Sequence, residues 1–329
     1  MNPTPIRILF GQPHFSDRHA WSEVLAHFAP ELAQRCVVEC VPSNTLEARL
    51  SGGEPVEVVV PLMSAVTESV FASGVRLVQQ FGVGIERIDL LAAERAGVVV
   101  ANMPGLNAPF VAERAVALLL ALLHRLPEAR RGFEPGAWST PAGRSVAGSV
   151  GCVIGLGAVG TAVCGLLAAF GAELRGVHRS RPAPGAVPTS VRLLPEGELG
   201  SALVGADFVI VAATHRPGSA AILSAELIAG LKPGAVVVNV ARGGAIDNDA
   251  SLAALESGAV GGLGLDVFPE EPYPADGPLL GHPAVVATAH TAALTDAYFA
   301  AAARRLGTAI AAWDAGRPVA NTLGGPGQD

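Results

Sequence analysis

The sequence predicts an α/β protein made of two domains, each a doubly wound parallel sheet. Three observations support this prediction. The chain has 329 residues, which exceeds the usual length of a single domain. Short β-branched segments alternate with amphipathic helical segments, the pattern expected when helices cover both faces of a parallel sheet. This alternation occurs in two separate series, divided by a long helical segment and a loop containing Pro and Gly.

The first series predicts five strands with helices between them, for example a helix over residues 21–28. The helical segment 109–126, which has an Ala- and Leu-rich face, is expected to connect the two domains, and loop 127–148 follows it. The second series is followed by a helical tail, 296–313, that we expect to return to the first sheet. The predicted strands are residues 6–10, 37–41, 56–60, 77–80 and 98–101, then 150–154, 174–178, 208–212, 235–240, 263–267 and 285–288.

The composition excludes several classes of protein. Half of the residues are hydrophobic and only 16% are charged, so a large core is expected and disorder is not. With 22 basic and 29 acidic residues, the chain lacks the positive field that nucleic acid or an anionic membrane surface would require. The N-terminus lacks the pattern of a signal peptide, and a cytoplasmic location is therefore expected.

An uncharged stretch and four cysteines could indicate a membrane span or a metal site, but neither is predicted. Residues 145–172 carry no charge and could span a bilayer, but their seven glycines favour a strand, a tight turn and a helix. The four cysteines lack paired CxxC spacing, so neither a zinc site nor a disulfide framework is predicted, and no metal is expected.

A glycine-rich turn predicts a dinucleotide site. The apolar strand 150–154 leads directly into Gly155, Gly157 and Gly160, and a helical segment follows. In such a turn the first glycine permits the tight bend, the second lets a pyrophosphate approach the backbone, and the third lets helix pack on strand. The predicted cofactor-binding residues of this turn are Gly155, Gly157, Ala158, Val159 and Gly160.

The end of the next strand predicts which nicotinamide cofactor binds. An acidic residue that would bind the adenosine ribose of NAD is expected there, but the sequence has His178, Arg179, Ser180 and Arg181. Two guanidinium groups and a hydroxyl suit a 2′-phosphate. NADP(H) is therefore favoured and NAD(H) remains possible, since the arginines could be ordinary solvated loop residues.

Six motifs, in order, resemble those of the D-isomer-specific 2-hydroxyacid dehydrogenase family, which includes glyoxylate and hydroxypyruvate reductases. The resemblance to this family extends over about residues 56–307. The resemblance implies a flavodoxin-like substrate domain, residues 1–103 and 293–329, and a Rossmann-like NAD(P)-binding domain, residues 104–292. The motifs are FGVGIERID (81–89), ANMPGLNAPFVAE (101–113), GLGAVG (155–160), KPGAVVVNVARGG (232–244), LDVFPEEP (265–272) and HPAVVATAHTAALT (282–295).

The resemblance also implies a catalytic set. Arg242 matches the arginine that binds the substrate carboxylate and carbonyl oxygen, His290 matches the catalytic histidine, and Glu271 matches the carboxylate that pairs with it. Reduction of a 2-oxo acid requires a proton donor and a cation, and these residue types can supply both. Glu270 is the alternative to Glu271, although the spacing from Asp266 favours Glu271.

The resemblance also implies further substrate-binding and cofactor-binding residues, on less specific motifs than the catalytic set. Backbone amides of Val83 and Gly84 are expected to bind the substrate carboxylate, and Met63 is expected at one wall of the pocket. Ala241 and Asp266 are expected beside the cofactor, although Asp266 could instead cap the end of a strand.

The predicted activity is interconversion of a small 2-oxo acid and its D-2-hydroxy acid. One alternative is a phosphoglycerate dehydrogenase-like enzyme, which is disfavoured because no basic residue occurs between Arg49 and Arg76. The other is a non-catalytic, NAD(H)-sensing scaffold similar to a corepressor. Helix 111–123 is apolar on more than one face, and the family pairs its subunits through this region, so a homodimer is predicted.

Overall fold

A computed structural model describes residues 5–12, 26–27, 30–133, 138 and 142–323. Of the predicted helix 21–28, only residues 26 and 27 are described, and both are helical. The chain divides into two compact units. Residues 1–107 and 294–329 form the first unit, and residues 108–293 form the second.

Thirteen strands and twelve α-helices are assigned within the described residues. The strands are β1 (Ile6–Gln12), β2 (Cys36–Pro42), β3 (Val58–Val60), β4 (Leu77–Gln79), β5 (Val99–Ala101), β6 (Val150–Ile154), β7 (Glu173–His178), β8 (Arg192–Pro195), β9 (Phe208–Val211), β10 (Ala235–Asn239), β11 (Val260–Leu265), β12 (Val285–Ala287) and β13 (Thr322–Leu323). The helices are α1 (Pro30–Arg35), α2 (Leu46–Gly52), α3 (Glu68–Ala72), α4 (Leu90–Ala96), α5 (Ala108–Leu123), α6 (Leu126–Arg131), α7 (Ala158–Ala169), α8 (Leu199–Leu203), α9 (Ala225–Ala229), α10 (Asn248–Glu256), α11 (Pro278–Gly281) and α12 (Asp296–Asp314).

The first unit contains a six-stranded sheet with the order β13-β5-β4-β3-β1-β2. The strands β1 to β5 are parallel, and their order is that of flavodoxin-like folds. The chain returns to this sheet at its end, where β13 pairs antiparallel with β5. Helix α12 begins at Asp296 and is capped by Thr295, whose hydroxyl accepts a hydrogen bond from Tyr298 N; the helix buries one stripe that includes Ala302 and Leu306.

The second unit contains a seven-stranded, wholly parallel sheet with the order β12-β11-β10-β9-β6-β7-β8. Its first six strands in chain order follow the Rossmann order 3-2-1-4-5-6, with the reversal of direction between β6 and β9. The predicted fold class, two parallel-sheet α/β domains with a Rossmann-like member, is therefore confirmed.

The packing of helix α5 removes one reason for predicting a dimer. Its leucines, which the sequence pattern indicates are too numerous for one buried face, pack inside the second unit against α7 and the central strands. Leu118, Leu119, Leu122 and Leu123 are all buried there. The leucines thus do not require a second subunit. The prediction of a loop over residues 127–148 was wrong at its start, because helix α6 extends to Arg131.

The uncharged stretch 145–172 forms the strand β6, a glycine turn and helix α7. None of the helices in the described residues is long and apolar enough to cross a bilayer. Cys152 and Cys164, which lie within this stretch, are buried, and burial raises the pKa of both thiols to about 12. Within the same described residues, no three His, Cys, Asp or Glu side chains converge as metal ligands would.

Candidate active site

The glycine turn after β6 has the geometry that a dinucleotide requires. Gly155 has φ +95°, and a Cβ atom there would lie 2.4 Å from the Cα of Ala213. A Cβ on Gly160 would lie 1.8 Å from the carbonyl oxygen of Gly155. At Gly157, in contrast, a Cβ would meet no atom of the described residues within 4 Å. The first and third glycines therefore allow close packing, whereas the second leaves open space where a ligand can approach the backbone.

Helix α7 adds an anion-binding end to this turn. It begins at Ala158 after Gly157, and its first turn carries no acidic residue. The amides at the start of an α-helix have no partner within it, and the helix dipole favours negative charge there. Ala158 and Val159 lie in this first turn. The turn also lies beside the reversal of strand order between β6 and β9, where doubly wound sheets bind ligands.

The end of β7 lies beside the glycine turn, because β6 and β7 are adjacent strands. Arg179, Ser180 and Arg181 are exposed directly after the strand, and neither guanidinium forms an ion pair with the described residues. The Nδ1 atom of His178 is buried and has no hydrogen-bond partner in that part of the chain. This edge therefore offers two cations and an unsatisfied ring nitrogen, groups that suit a phosphorylated ribose.

A buried asparagine fixes the loop that carries Arg242. Asn239 ends β10 and is fully buried. Its Nδ2 donates to the Arg242 carbonyl oxygen at 2.8 Å, and its Oδ1 accepts from Ala241 N at 3.0 Å. Gly243 continues the loop at a point where a Cβ would lie 1.9 Å from the Phe268 carbonyl. The backbone around Arg242 is thus held from both sides, and Ala241 is buried beneath it.

His290 and Glu271 form a hydrogen-bonded pair. The Nδ1 of His290 lies 2.7 Å from Oε2 of Glu271. The other oxygen, Oε1, accepts from Phe268 N at 3.1 Å, so the carboxylate is oriented by the backbone. Glu270 is exposed. The structure therefore selects Glu271 as the partner of His290, and the side chain of His290 remains 37% exposed.

Asp266 holds the segment in which His290 lies. Its Oδ1 accepts from Thr288 Oγ1 at 2.5 Å and from Thr291 N at 2.9 Å, and its Oδ2 accepts from Ala292 N at 3.1 Å. His290 N also donates to the Asp266 carbonyl at 2.7 Å, while His290 itself has φ +52°. The alternative role of Asp266, as a cap at the end of β11, is what the structure shows. Its predicted contact with the cofactor stays a prediction.

The charges around this pair determine the direction of each pKa shift. Burial by itself lowers the pKa of His290, but the hydrogen bond and charge of Glu271, with the charge of Asp266, raise it above its usual value. Burial by itself raises the pKa of Glu271, yet His290, the Phe268 amide and the Arg242 charge lower it overall. Burial raises the pKa of Asp266 despite its three hydrogen bonds. The pair thus favours an imidazolium beside a carboxylate.

In the first unit, the loop containing Val83 and Gly84 is anchored through its carbonyl groups. Each carbonyl from Phe81 to Gly84 accepts a hydrogen bond within the unit. The donors, in order, are Tyr298 Oη (3.0 Å), Met103 N (2.8 Å), Asn102 Nδ2 (3.0 Å) and Gln80 Nε2 (2.7 Å). The amides of Val83 and Gly84 have no acceptor among the described residues, so they can bind an anion.

Gln80 also joins this loop to the turn that carries Met63. Its Nε2 donates to the Leu62 carbonyl at 3.0 Å, and Met63 is half-buried in the same turn. The residues of the site that were not predicted from the sequence are Gln80, Asn102, Asn239, Thr288 and Tyr298. For Asn239 a signal existed, since a polar residue closes the otherwise apolar strand AVVVN.

Comparisons with known proteins agree with this geometry. The family model described as "D-isomer specific 2-hydroxyacid dehydrogenase, NAD binding domain" matches residues 116–292. A D-3-phosphoglycerate dehydrogenase of Mycobacterium leprae (strain TN) is 36% identical over 242 residues, which cover 73% of this chain and 44% of that protein. The chain thus spans less than half the length of this curated relative.

Two solved structures resemble the whole chain. A protein of Polaromonas sp. JS6 66, assigned to the NAD-binding D-isomer specific 2-hydroxyacid dehydrogenases, has a TM-score of 0.84 and 25% identity, and the match covers 98% of this chain and 100% of that one. The pyruvate reductase of Chlamydomonas reinhardtii has a TM-score of 0.80 and 26% identity, with coverage of 97% and 99%.

Proposed function

Because the chain belongs to the D-isomer specific 2-hydroxyacid dehydrogenase family, we propose that it interconverts a small 2-oxo acid and its D-2-hydroxy acid with a nicotinamide cofactor. The observation that carries this proposal is the His290–Glu271 pair, with a 2.7 Å contact, whose pKa values respond to the charge of Arg242. This combination supplies a proton donor and a cation for a carbonyl that becomes an alkoxide.

In the proposed mechanism each residue has a separate task. Arg242 binds the substrate carboxylate and polarises the carbonyl oxygen. His290 donates its proton to that oxygen in reduction and takes it back in oxidation, while Glu271 orients the ring and stabilises its protonated form. Asn239 and Asp266 act as positioning residues for the two loops. The amides of Val83 and Gly84 and the side chain of Met63 remain proposed contacts of the substrate, which makes the first unit the proposed substrate domain.

The residues of the second unit fit a nicotinamide dinucleotide. Gly155, Gly157 and Gly160, with the amides at the start of α7, would hold its pyrophosphate. Ala241 and Asp266 remain proposed neighbours of the nicotinamide. When bound, the cofactor supplies or accepts the hydride.

The substrate is tested with a panel of 2-oxo acids. Oxidation of NADPH or NADH should accompany addition of glyoxylate, hydroxypyruvate or pyruvate. The products of hydroxypyruvate and pyruvate should be the D-2-hydroxy acids, whereas the glycolate formed from glyoxylate is achiral. The similarity to a phosphoglycerate dehydrogenase makes 3-phosphohydroxypyruvate the second candidate. A higher kcat/KM for that compound would reverse our assignment, and no turnover with any acid would favour a non-catalytic, cofactor-sensing scaffold.

Replacing Glu271 with Gln should shift the pH profile of reduction towards acid. Glu271 is the principal group that raises the pKa of His290, and loss of its charge lowers that pKa. Protonated His290, the form needed for reduction, is then lost at a lower pH. The measurement is the alkaline limb of kcat/KM against pH. Glu270→Gln is the matched control and should leave this limb in place. A shift in the control alone would contradict the assignment.

NADPH should be preferred to NADH, because the guanidinium groups of Arg179 and Arg181 lie beside the glycine turn and form no ion pair with the described residues. A tenfold preference corresponds to about 1.4 kcal/mol, which one charge-assisted hydrogen bond can supply. Arg179→Ala should reduce the ratio of the two kcat/KM values. The control, Arg192→Ala, removes an exposed arginine from the neighbouring strand β8 and should leave the ratio of the two kcat/KM values unchanged. Equal kcat/KM values in the wild type would rule out the preference.

The protein is proposed to form a homodimer, although the buried leucines of α5 no longer support this. The new support is a set of exposed apolar side chains at and beyond α6, in which Phe133 is 76% and Trp138 is 87% exposed. Their rings lie 5.9 Å apart, edge to face. Light scattering should give the mass of two chains, and Phe133→Ser with Trp138→Ser should give one. Val204→Ser, at a residue 67% exposed elsewhere, is the control. A monomeric wild type at micromolar concentration would refute the proposal.

A further inference from the structure

A pocket in the first unit is lined by none of the residues assigned to the proposed activity. Its volume is about 400 Å³, within the range of small-molecule sites. Arg76 precedes β4, and Val99 opens β5, whereas the loop of Val83 and Gly84 follows the other end of β4. The lining residues that matter here are Arg76, Val99, Trp313, Arg317, Pro318 and Thr322.

The pocket is positively charged in a chain whose net charge is −7. Arg76 and Arg317 are both exposed, and neither forms an ion pair with the described residues. None of the described lining residues is acidic. Asp314, which is near in sequence, is paired with Arg35. The two guanidinium groups therefore offer their N–H donors to an anion that none of the described side chains supplies through an ion pair.

An aromatic ring orients one of these cations. The guanidinium carbon of Arg76 lies 5.6 Å from the ring centroid of Trp313. Such a cation–π contact fixes the guanidinium while its N–H groups remain free to donate. The half-buried indole, together with Val99 and Pro318, gives the pocket apolar walls beside its two charges.

A neighbouring cavity differs in size and chemistry. It shares Pro318 with the pocket but has a volume of about 90 Å³, and it is lined by Gln79, Asn102 and Arg305 among others. The Oε1 of Gln79 is buried without a partner in the described chain. This space suits a few water molecules, not an organic ligand.

We propose that the larger pocket is a binding site for a small organic anion with a planar apolar body. The carboxylate or phosphate groups of the ligand pair with Arg76 and Arg317, and its body packs against Trp313 and Pro318. The proposal is independent of the proposed activity, because it uses none of the residues of that site.

Phthalate, an aromatic dianion, is a suitable probe in isothermal titration calorimetry of the whole protein at low ionic strength. We expect one site per chain, with affinity reduced about tenfold or more in Arg76→Gln and in Arg317→Gln, since hydrogen bonds to charged groups are worth that much. Arg304→Gln, an exposed residue of α12, should bind as the wild type does. Inorganic phosphate should bind more weakly than phthalate, because it has no planar body.

Phthalate could also bind Arg242, so Arg242→Ala is titrated in parallel and should retain the site. Unchanged thermal unfolding and turnover in the Arg76 and Arg317 variants would show that they are folded. The proposal would be overturned if the wild type did not bind phthalate. It would also be overturned if Arg242→Ala lost phthalate binding while Arg76→Gln and Arg317→Gln kept it. Equal affinity for phosphate and phthalate would also overturn it.

Discussion

Replacing His290 with Ala should lower kcat by about 10² to 10⁴, the usual contribution of a general acid. The loss arises because the alkoxide would then take its proton from water, without the imidazolium that Glu271 holds in place at 2.7 Å. Affinity for the cofactor should change little, since the glycine turn after β6 is untouched. Steady-state kinetics with the best 2-oxo acid measures kcat, and a fluorescence titration with NADPH measures cofactor affinity.

The control for this prediction is another histidine. His124 is exposed at the end of α5, and His124→Ala should retain wild-type kcat. A His290→Ala protein with nearly full turnover would refute the proposed mechanism. A His290→Ala protein that no longer bound NADPH would show instead that the substitution had disturbed the fold of the second unit.

Replacing Arg242 with Ala should damage both kcat and KM. The same guanidinium is proposed to hold the carboxylate in the ground state and the carbonyl oxygen whose charge grows in the transition state. Loss of a donor to that oxygen costs about 10² to 10³ in kcat, and loss of the charged hydrogen bond to the carboxylate should raise KM about tenfold or more.

Arg242→Lys separates charge from geometry. A lysine keeps the positive charge but lacks the planar fork that binds a carboxylate and a carbonyl together, so it should recover only part of the loss. Arg304→Ala, on the exposed surface of α12, should have no effect. An Arg242→Ala enzyme with a raised KM and an unchanged kcat would mean that the guanidinium contributes only to substrate binding.

Local sequence patterns predicted the strands of the sheets better than they predicted which surfaces are buried between elements. Local patterns were sufficient for most strands, because these are short apolar runs buried in parallel sheets, and β6, β9 and β10 follow the predicted runs closely. They missed the edge strand β8, in which two of four residues are exposed, and the two-residue edge strand β13. The same patterns failed where burial depends on neighbours. The leucines of α5 suggested a second subunit, but the strand β11 has glycines that allow them to approach, as Leu122 does at Gly262.

The sequence by itself determined the order of most elements and the spacing of the glycine turn, in which Gly160 is required by close contact with the nearby Gly155 carbonyl. The contact between Gly155 and Ala213, which is distant along the chain, was decided by the tertiary structure. The sequence also identified His290 and Arg242 as the candidate acid and cation. Tertiary structure alone decided between Glu270 and Glu271, because adjacent residues point in different directions and only the fold brings Phe268 N and His290 to one carboxylate. It likewise showed Asp266 as a cap, since its three donors come from a segment more than twenty residues away along the chain. Hydrogen bonds between residues so far apart depend on the folded backbone, so the pattern of residues along the sequence does not predict them.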